Sequence, residues 1–260
     1  MLCSEITKKI EERYPKQYAM EWDNVGLLVG RTDKEVQKIY IALDATDEVI
    51  EDATAWGADM ILTHHPMIFK GMKRITDQDF IGRRVLKLIQ NDVAYYAMHT
   101  NYDVKGMAQL AGEYLEMEEQ EVLEVTSVED GEAEGIGRVG MLKTEMTLAE
   151  CCQFVKKALG LPNVKVFGDL NKSVKRAAVS PGSGKSVVSC ALKKGADVLI
   201  TGDIDHHEGI DAVAQGTAII DAGHYGLEHI FIKDMTEYLR DNLSEVKVEK
   251  VAISHPFQII

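Results

Sequence analysis

The sequence predicts an α/β fold of two similar lobes, and three observations carry that expectation. Apolar runs of strand length alternate with helical stretches of about ten residues, the pattern of mostly parallel strands with flanking helices. A strand–helix–strand unit recurs 138 positions downstream without a gap. Each half then closes on a histidine followed four residues later by a carboxylate, His99 with Asp103 and His224 with Glu228.

The elements follow in order. Residues 4–14 predict a helix capped by Ser4, and Lys38–Leu43 (KIYIAL) predicts a buried strand. A helix over 47–56 leads to a second strand at Asp59–Thr63, and a helix over 79–91 to a third at Val93–Met98. Slid back by 138, residues 174–201 lie on 36–63. Val174 then falls on Val36, Val187 on Val49 and Ala191 on Ala53, while Gly195-Ala196-Asp197 falls on Gly57-Ala58-Asp59 and Thr201 on Thr63. Coincident apolar periods make this a duplicated unit. An acidic stretch, 113–134, reads as a helix end, a strand and a solvated turn between the halves. The expected lobes are therefore 1–125 and 126–260, with the C-terminal helix (226–242) and last strand (247–253) free to pack back on the first.

Composition narrows the class. The chain has 260 residues, a formal charge of -13 and four cysteines, Cys3, Cys151, Cys152 and Cys190, in no Cys-x-x-Cys pair. Such an acidic surface repels phosphate backbones, which argues against nucleic acid as a partner. Reduced thiols, no signal sequence and no apolar run of about 20 residues predict a cytoplasmic protein without a membrane span.

Chemistry concentrates at strand ends. In Thr63-His64-His65-Pro66 two imidazoles follow an apolar strand. Within a strand neighbours face opposite ways. At a strand end before proline the chain turns, and both rings can converge on the sheet rim, where open α/β sheets place ligands. Asp103, His224 and Glu228 stand at the equivalent rims. Imidazoles with carboxylates suit Zn, Mn or Fe(II). Five ligands exceed the three a single catalytic ion takes from protein, so two ions sharing a carboxylate fit the set. His206 and His207 fall three residues late for the same role and read as a helix start or as support for other ligands. Gly182-Ser183-Gly184-Lys185-Ser186 mimics a phosphate loop, but Val179 stands where the first glycine is required. Gly135-Ile136-Gly137-Arg138-Val139-Gly140 has dinucleotide spacing, yet the next helix starts only at the capping box of Thr147 and Glu150, so it reads as a strand.

Five segments in order, Glu21-Trp22-Asp23-Asn24-Val25-Gly26-Leu27-Leu28-Val29-Gly30, Thr63-His64-His65-Pro66, Met98-His99-Thr100-Asn101-Tyr102-Asp103, Thr201-Gly202-Asp203 and Asp221-Ala222-Gly223-His224 with Glu228, give the chain its family resemblance. It resembles the GTP cyclohydrolase 1 type 2 homologues, in the short form without an inserted domain. The resemblance implies two α/β lobes with a dinuclear metal site between them, in a toroidal homohexamer. It implies two divalent ions (Zn, Mn or Fe) on His64, His65, Asp103, His224 and Glu228, with Glu228 as bridge. Members often carry a threonine before that glutamate; Leu227 here removes a hydroxyl, not a ligand. The activity implied is metal-dependent hydrolysis of GTP or a related purine nucleotide with formate release, with His99 as candidate for proton transfer. A phosphoesterase and a non-enzymatic metal-binding ring or scaffold are the alternatives the same ligands allow.

Overall fold

A computed structural model describes residues 1–260. The chain forms two compact units, Met1–Tyr102 with Phe231–Ser254, and Asp103–Ile230 with His255–Ile260. The division precedes Asp103 instead of following residue 125, because the strand at Met117–Glu129 pairs wholly within the second sheet.

The first unit runs α1 (Cys3–Arg13), β1 (Gly26–Val29), β2 (Lys38–Ala42), α2 (Asp47–Trp56), β3 (Met60–Thr63), α3 (Phe80–Gln90), β4 (Ala94–Ala97) and a short α4 (Thr100–Tyr102). The second begins with a π-helical turn at Asp103–Met107 and continues through α5 (Ala108–Tyr114), β5 (Met117–Glu129), β6 (Glu132–Thr147), α6 (Leu148–Leu159), β7 (Lys165–Phe167), β8 (Ser173–Ser183), α7 (Val188–Lys193), β9 (Val198–Gly202), α8 (His206–Ala214), β10 (Ala218–Asp221) and α9 (His224–Glu228). α10 (Ile230–Asn242) and β11 (Lys247–Lys250) return to the first unit, where β11 lies parallel to β2 at the sheet edge.

Sheet order is β1-β4-β3-β2-β11 in the first unit and β5-β6-β8-β9-β10-β7 in the second. Five of the nine strand pairings are parallel. The antiparallel ones are the β1 and β7 edges and the long β5–β6 hairpin joined to β8.

The sequence repeat is a structural one. Ile39, Tyr40 and Ile41 pair with Met60, Ile61 and Leu62, and their counterparts Ala177, Ala178 and Val179 pair with Val198, Leu199 and Ile200. The polar anchors are duplicated too. Asp59 accepts from the Gln37 and Lys38 amides at 2.8 and 3.0 Å, and Asp197 from the Lys175 and Arg176 amides at 3.0 and 2.8 Å. Buried strand runs and helix faces such as Ile50, Ala53, Ile61 and Leu88, or Ala191, Leu199, Ala212 and Ile219, form a separate core in each unit. Each fully buried Leu or Ile side chain contributes about 1.5–3 kcal/mol, and an alanine methyl about 0.8 kcal/mol.

Helix ends mostly follow local chemistry. Thr46 caps α2 through the Val49 amide, and the Thr147–Glu150 box caps α6 as expected. Ser4 does not cap α1. The N-cap is Leu2, whose amide bonds to Glu5, while the Cys3 and Ser4 amides are taken by the carbonyls of Lys34 and Thr32. The glycine-spaced stretch at 135–140 lies inside β6, and α8 begins at His206. No helix is long and apolar enough to cross a membrane.

Candidate metal centre

In the first unit the turn after β3 explains the adjacent histidines. The Tyr95 hydroxyl accepts from the Met67 amide at 2.8 Å and lies 2.9 Å from the His65 carbonyl, and Thr63 Oγ1 is 2.8 Å from that carbonyl. Tyr95 is fully buried, which pushes its pKa up to about 12 and keeps the hydroxyl neutral. So clamped, the chain leaves strand geometry at His64, and both rings come to one place with centroids 4.9 Å apart.

His99 joins them. Its centroid is 5.2 Å from that of His64 and 5.6 Å from that of His65, and one ligand nitrogen from each ring lies within 4.8 Å of the others. Each ring is held through Nδ1: His64 by the Met98 carbonyl at 2.9 Å, His65 by Asp44 at 2.7 Å and His99 by Asp23 at 2.9 Å. A carbonyl only accepts, so His64 Nδ1 carries the proton and the neutral ring has its lone pair on Nε2. Carboxylates on the other two rings favour the same tautomer, the arrangement that orients metal-binding imidazoles. Asp23 is fixed in turn by the Thr100 amide at 3.0 Å and the Thr100 hydroxyl. Burial would raise its pKa, but the hydrogen bonds from His99 and Thr100 outweigh it and lower the carboxyl to about 2.

In the second unit α9 carries His224 and Glu228 one turn apart, with His224 Nε2 3.0 Å from Glu228 Oε2. His224 Nδ1 bonds to Asp203 at 2.7 Å, and Glu228 is 2 % exposed. A carboxylate oxygen of Asp103 lies within 4.8 Å of one from Glu228. Burial would lower the His224 pKa; the hydrogen bond and charge of Glu228, then Asp203, push it up to about 9. The same acids that stabilise a proton on this ring give the place a negative potential that favours a cation. Gly182 explains the phosphate-loop look-alike. Its φ is +75°, and a Cβ there would sit 2.6 Å from Glu228 Oε1. The glycine makes room for the carboxylate. Lys185 pairs instead with Asp205 and Glu208.

All six predicted site residues therefore fall into two sets, His64, His65 and His99 in one unit and Asp103, His224 and Glu228 in the other. Three partners escaped the sequence reading as such: Asp23, Asp44 and Asp203. His206 and His207 meet edge to face on α8, with centroids 5.2 Å apart, and belong to neither set of possible ligands. The donors fit divalent ions: anchored imidazoles of one tautomer, with the buried carboxylate of Glu228 and the half-buried one of Asp103.

Comparison with known proteins places the chain. It matches the family Duf34/NIF3 (NGG1p interacting factor 3) over residues 1–256. A Clostridium perfringens protein named GTP cyclohydrolase 1 type 2 homolog is 39% identical over all of both chains. The Bacillus subtilis protein of that name is 28% identical across 348 aligned positions, more than the 260 residues here, so it carries residues that this chain lacks. Among solved structures, a Bacillus cereus protein related to NIF3 has a TM-score of 0.91 at 27% identity, covering 100% of this chain and 99% of its own. A Staphylococcus aureus hypothetical protein, SA1388, has a TM-score of 0.90 at 31% identity with the same coverage.

Proposed function

The chain belongs to the Duf34/NIF3 family, and from that premise we propose that it is a dinuclear metal-dependent hydrolase that opens the imidazole ring of a purine nucleotide, GTP first among the candidates. The observation that carries the reading is the set of three imidazoles each tied at Nδ1 to an acceptor. A structural histidine needs no such uniform orientation, whereas a metal ligand or a proton-transfer group does. The name carried by the relatives supports the choice of GTP.

In this reading His64, His65, Asp103, His224 and Glu228 hold two ions, Zn, Mn or Fe(II), with Glu228 shared. Bound ions would supply Lewis acidity and a water acidified to near neutral pH. His99 moves a proton, its ring oriented by an Asp23 that stays ionised. Two waters are consumed: one opens the ring at C8, and the second frees C8 as formate. A homohexameric ring and a cytoplasmic setting belong to the same proposal.

The test is formate release from GTP by protein loaded separately with Zn, Mn and Fe(II), with Glu228→Ala alongside. Formate that needs both metal and Glu228 supports the reading. Phosphate without formate turns the site into a phosphoesterase. Neither product from metal-loaded protein leaves a metal-binding ring without turnover.

A further inference from the structure

Two aromatic side chains beside the three histidines have no part in the reading so far. Trp22 is 60% exposed and Phe69 47%. Their ring centroids are 5.7 Å apart at a 44° tilt, and each meets the edge of His99, at 6.0 and 6.4 Å. An indole normally finds burial worth having, so this much exposure beside a candidate active site calls for a ligand. The backbone beneath is braced. Asp23, next to Trp22, is held by His99 and Thr100, and Asn24 Nδ2 donates to the Ile68 carbonyl at 2.6 Å, tying the two aromatic segments together.

The charge beyond Phe69 has a sign unlike the chain as a whole. Lys70, Lys73 and Arg74 are exposed and make no ion pair, whereas Arg84 and Lys87 on α3 pair with Asp47 and Glu51. A cavity of about 460 Å³ is lined by Phe69, Lys70, Lys73, Arg74 and Phe80, with one carboxylate, Asp79, which is engaged in capping α3 through the Gly82 amide. In a protein of formal charge -13, three unpaired cations in a cavity that shares Phe69 with the aromatic pair complement a ligand with a planar ring and an anionic tail.

We infer that the exposed rings of Trp22 and Phe69 form the stacking platform for the base of a purine nucleotide beside His99, and that Lys70, Lys73 and Arg74 take its phosphates. The inference rests on the proposed function and names the recognition residues of that site. Base stacking on an aromatic ring is lost about tenfold or more in affinity when the ring is removed.

The test uses full-length protein, first in EDTA so that nothing is turned over and then loaded with Zn. GTP, guanosine and inorganic triphosphate are titrated against tryptophan fluorescence and by calorimetry. Trp56, the other tryptophan, packs against Tyr40 at 6.2 Å and supplies a constant background. GTP and guanosine should quench Trp22 while triphosphate binds without quenching. Trp22→Ala should weaken GTP about tenfold and leave triphosphate unchanged, with Trp22→Phe restoring most of the loss. Lys73→Glu combined with Arg74→Glu should weaken GTP and triphosphate and spare guanosine. Unchanged GTP affinity in Trp22→Ala overturns the inference. So does fluorescence that follows protein concentration instead of nucleotide, which would mark a contact between copies. Formate production with an unaltered KM in Trp22→Ala would remove this site and keep the hydrolase. Trp22-dependent GTP binding without formate would do the reverse.

Discussion

Gly182→Ala separates support of a proposed metal ligand, Glu228, from the stability of the fold. The residue has φ +75°, and a left-handed conformation costs an L-residue about 1–2 kcal/mol. The new Cβ also falls 2.6 Å from Glu228 Oε1, where ordinary contact begins at 3.4 Å, so the oxygen retreats by roughly 0.8 Å. That oxygen ends a side chain, and moving it spares the backbone. A metal site tolerates only about 0.2 Å in ligand distance. The expected result is a loss of about 1–2 kcal/mol in urea unfolding, with zinc affinity reduced about 10–100-fold in competition with a chelator. Gly195→Ala is the control, since Gly195 has φ +67° and nothing within 4 Å of an added Cβ. It should lose the same stability and no metal affinity. Equal zinc affinity in the two variants would refute the placement of Glu228 in the centre.

Other outcomes follow from the same geometry. Asp59→Ala and Asp197→Ala each remove an acceptor for two backbone amides, and each should lower urea stability by about 2 kcal/mol; strongly unequal losses would break the equivalence of the repeats. Asp23 has its pKa lowered to about 2 in the folded chain, so its contribution is present above the ordinary carboxylate pKa and is lost as pH falls through about 2. In EDTA-treated protein, acid unfolding of Asp23→Asn should accordingly lack a pH-dependent loss of roughly 2 kcal/mol between about pH 4 and 2 that the parent shows. Burial pushes the Cys151 thiol up to about 12 and raises Cys3 and Cys152, so iodoacetamide at pH 8 should label the half-buried Cys190 first, read by peptide mass spectrometry. Prompt labelling of Cys151 would contradict the core placement of α6.

The parts of this fold that local chemistry dictates were legible before any coordinates. α2 has the expected bounds, and the two halves keep the same strand register at a 138-residue offset, because apolar period and the Gly-Ala-Asp turn recur together. The candidate ligand residues stood out because His and carboxylate at strand ends are chemically conspicuous. Their supports did not. Asp23, Asp44 and Asp203 are 76, 21 and 21 residues from the rings they hold, and nothing local distinguishes them from surface acids. Gly182 looked like part of a phosphate loop because its true neighbour, Glu228, is 46 positions away in the chain. The boundary near residue 125 failed for a related reason. Acidic composition suggested a linker, but Leu123 and Met117 face inward, and the strand that bears them joins the second sheet. Ser4 had the right residue type for a cap, and loop carbonyls took its place.

The central proposal is that the chain binds two divalent ions, and counting ions tests it most directly. Purified chain equilibrated with zinc and freed of excess would be analysed for metal per protein, beside Glu228→Ala and His64→Ala. The account predicts two ions per chain in the parent, none in Glu228→Ala because the shared carboxylate serves both, and at most one in His64→Ala. Two ions retained in Glu228→Ala, or none bound by the parent, would contradict it.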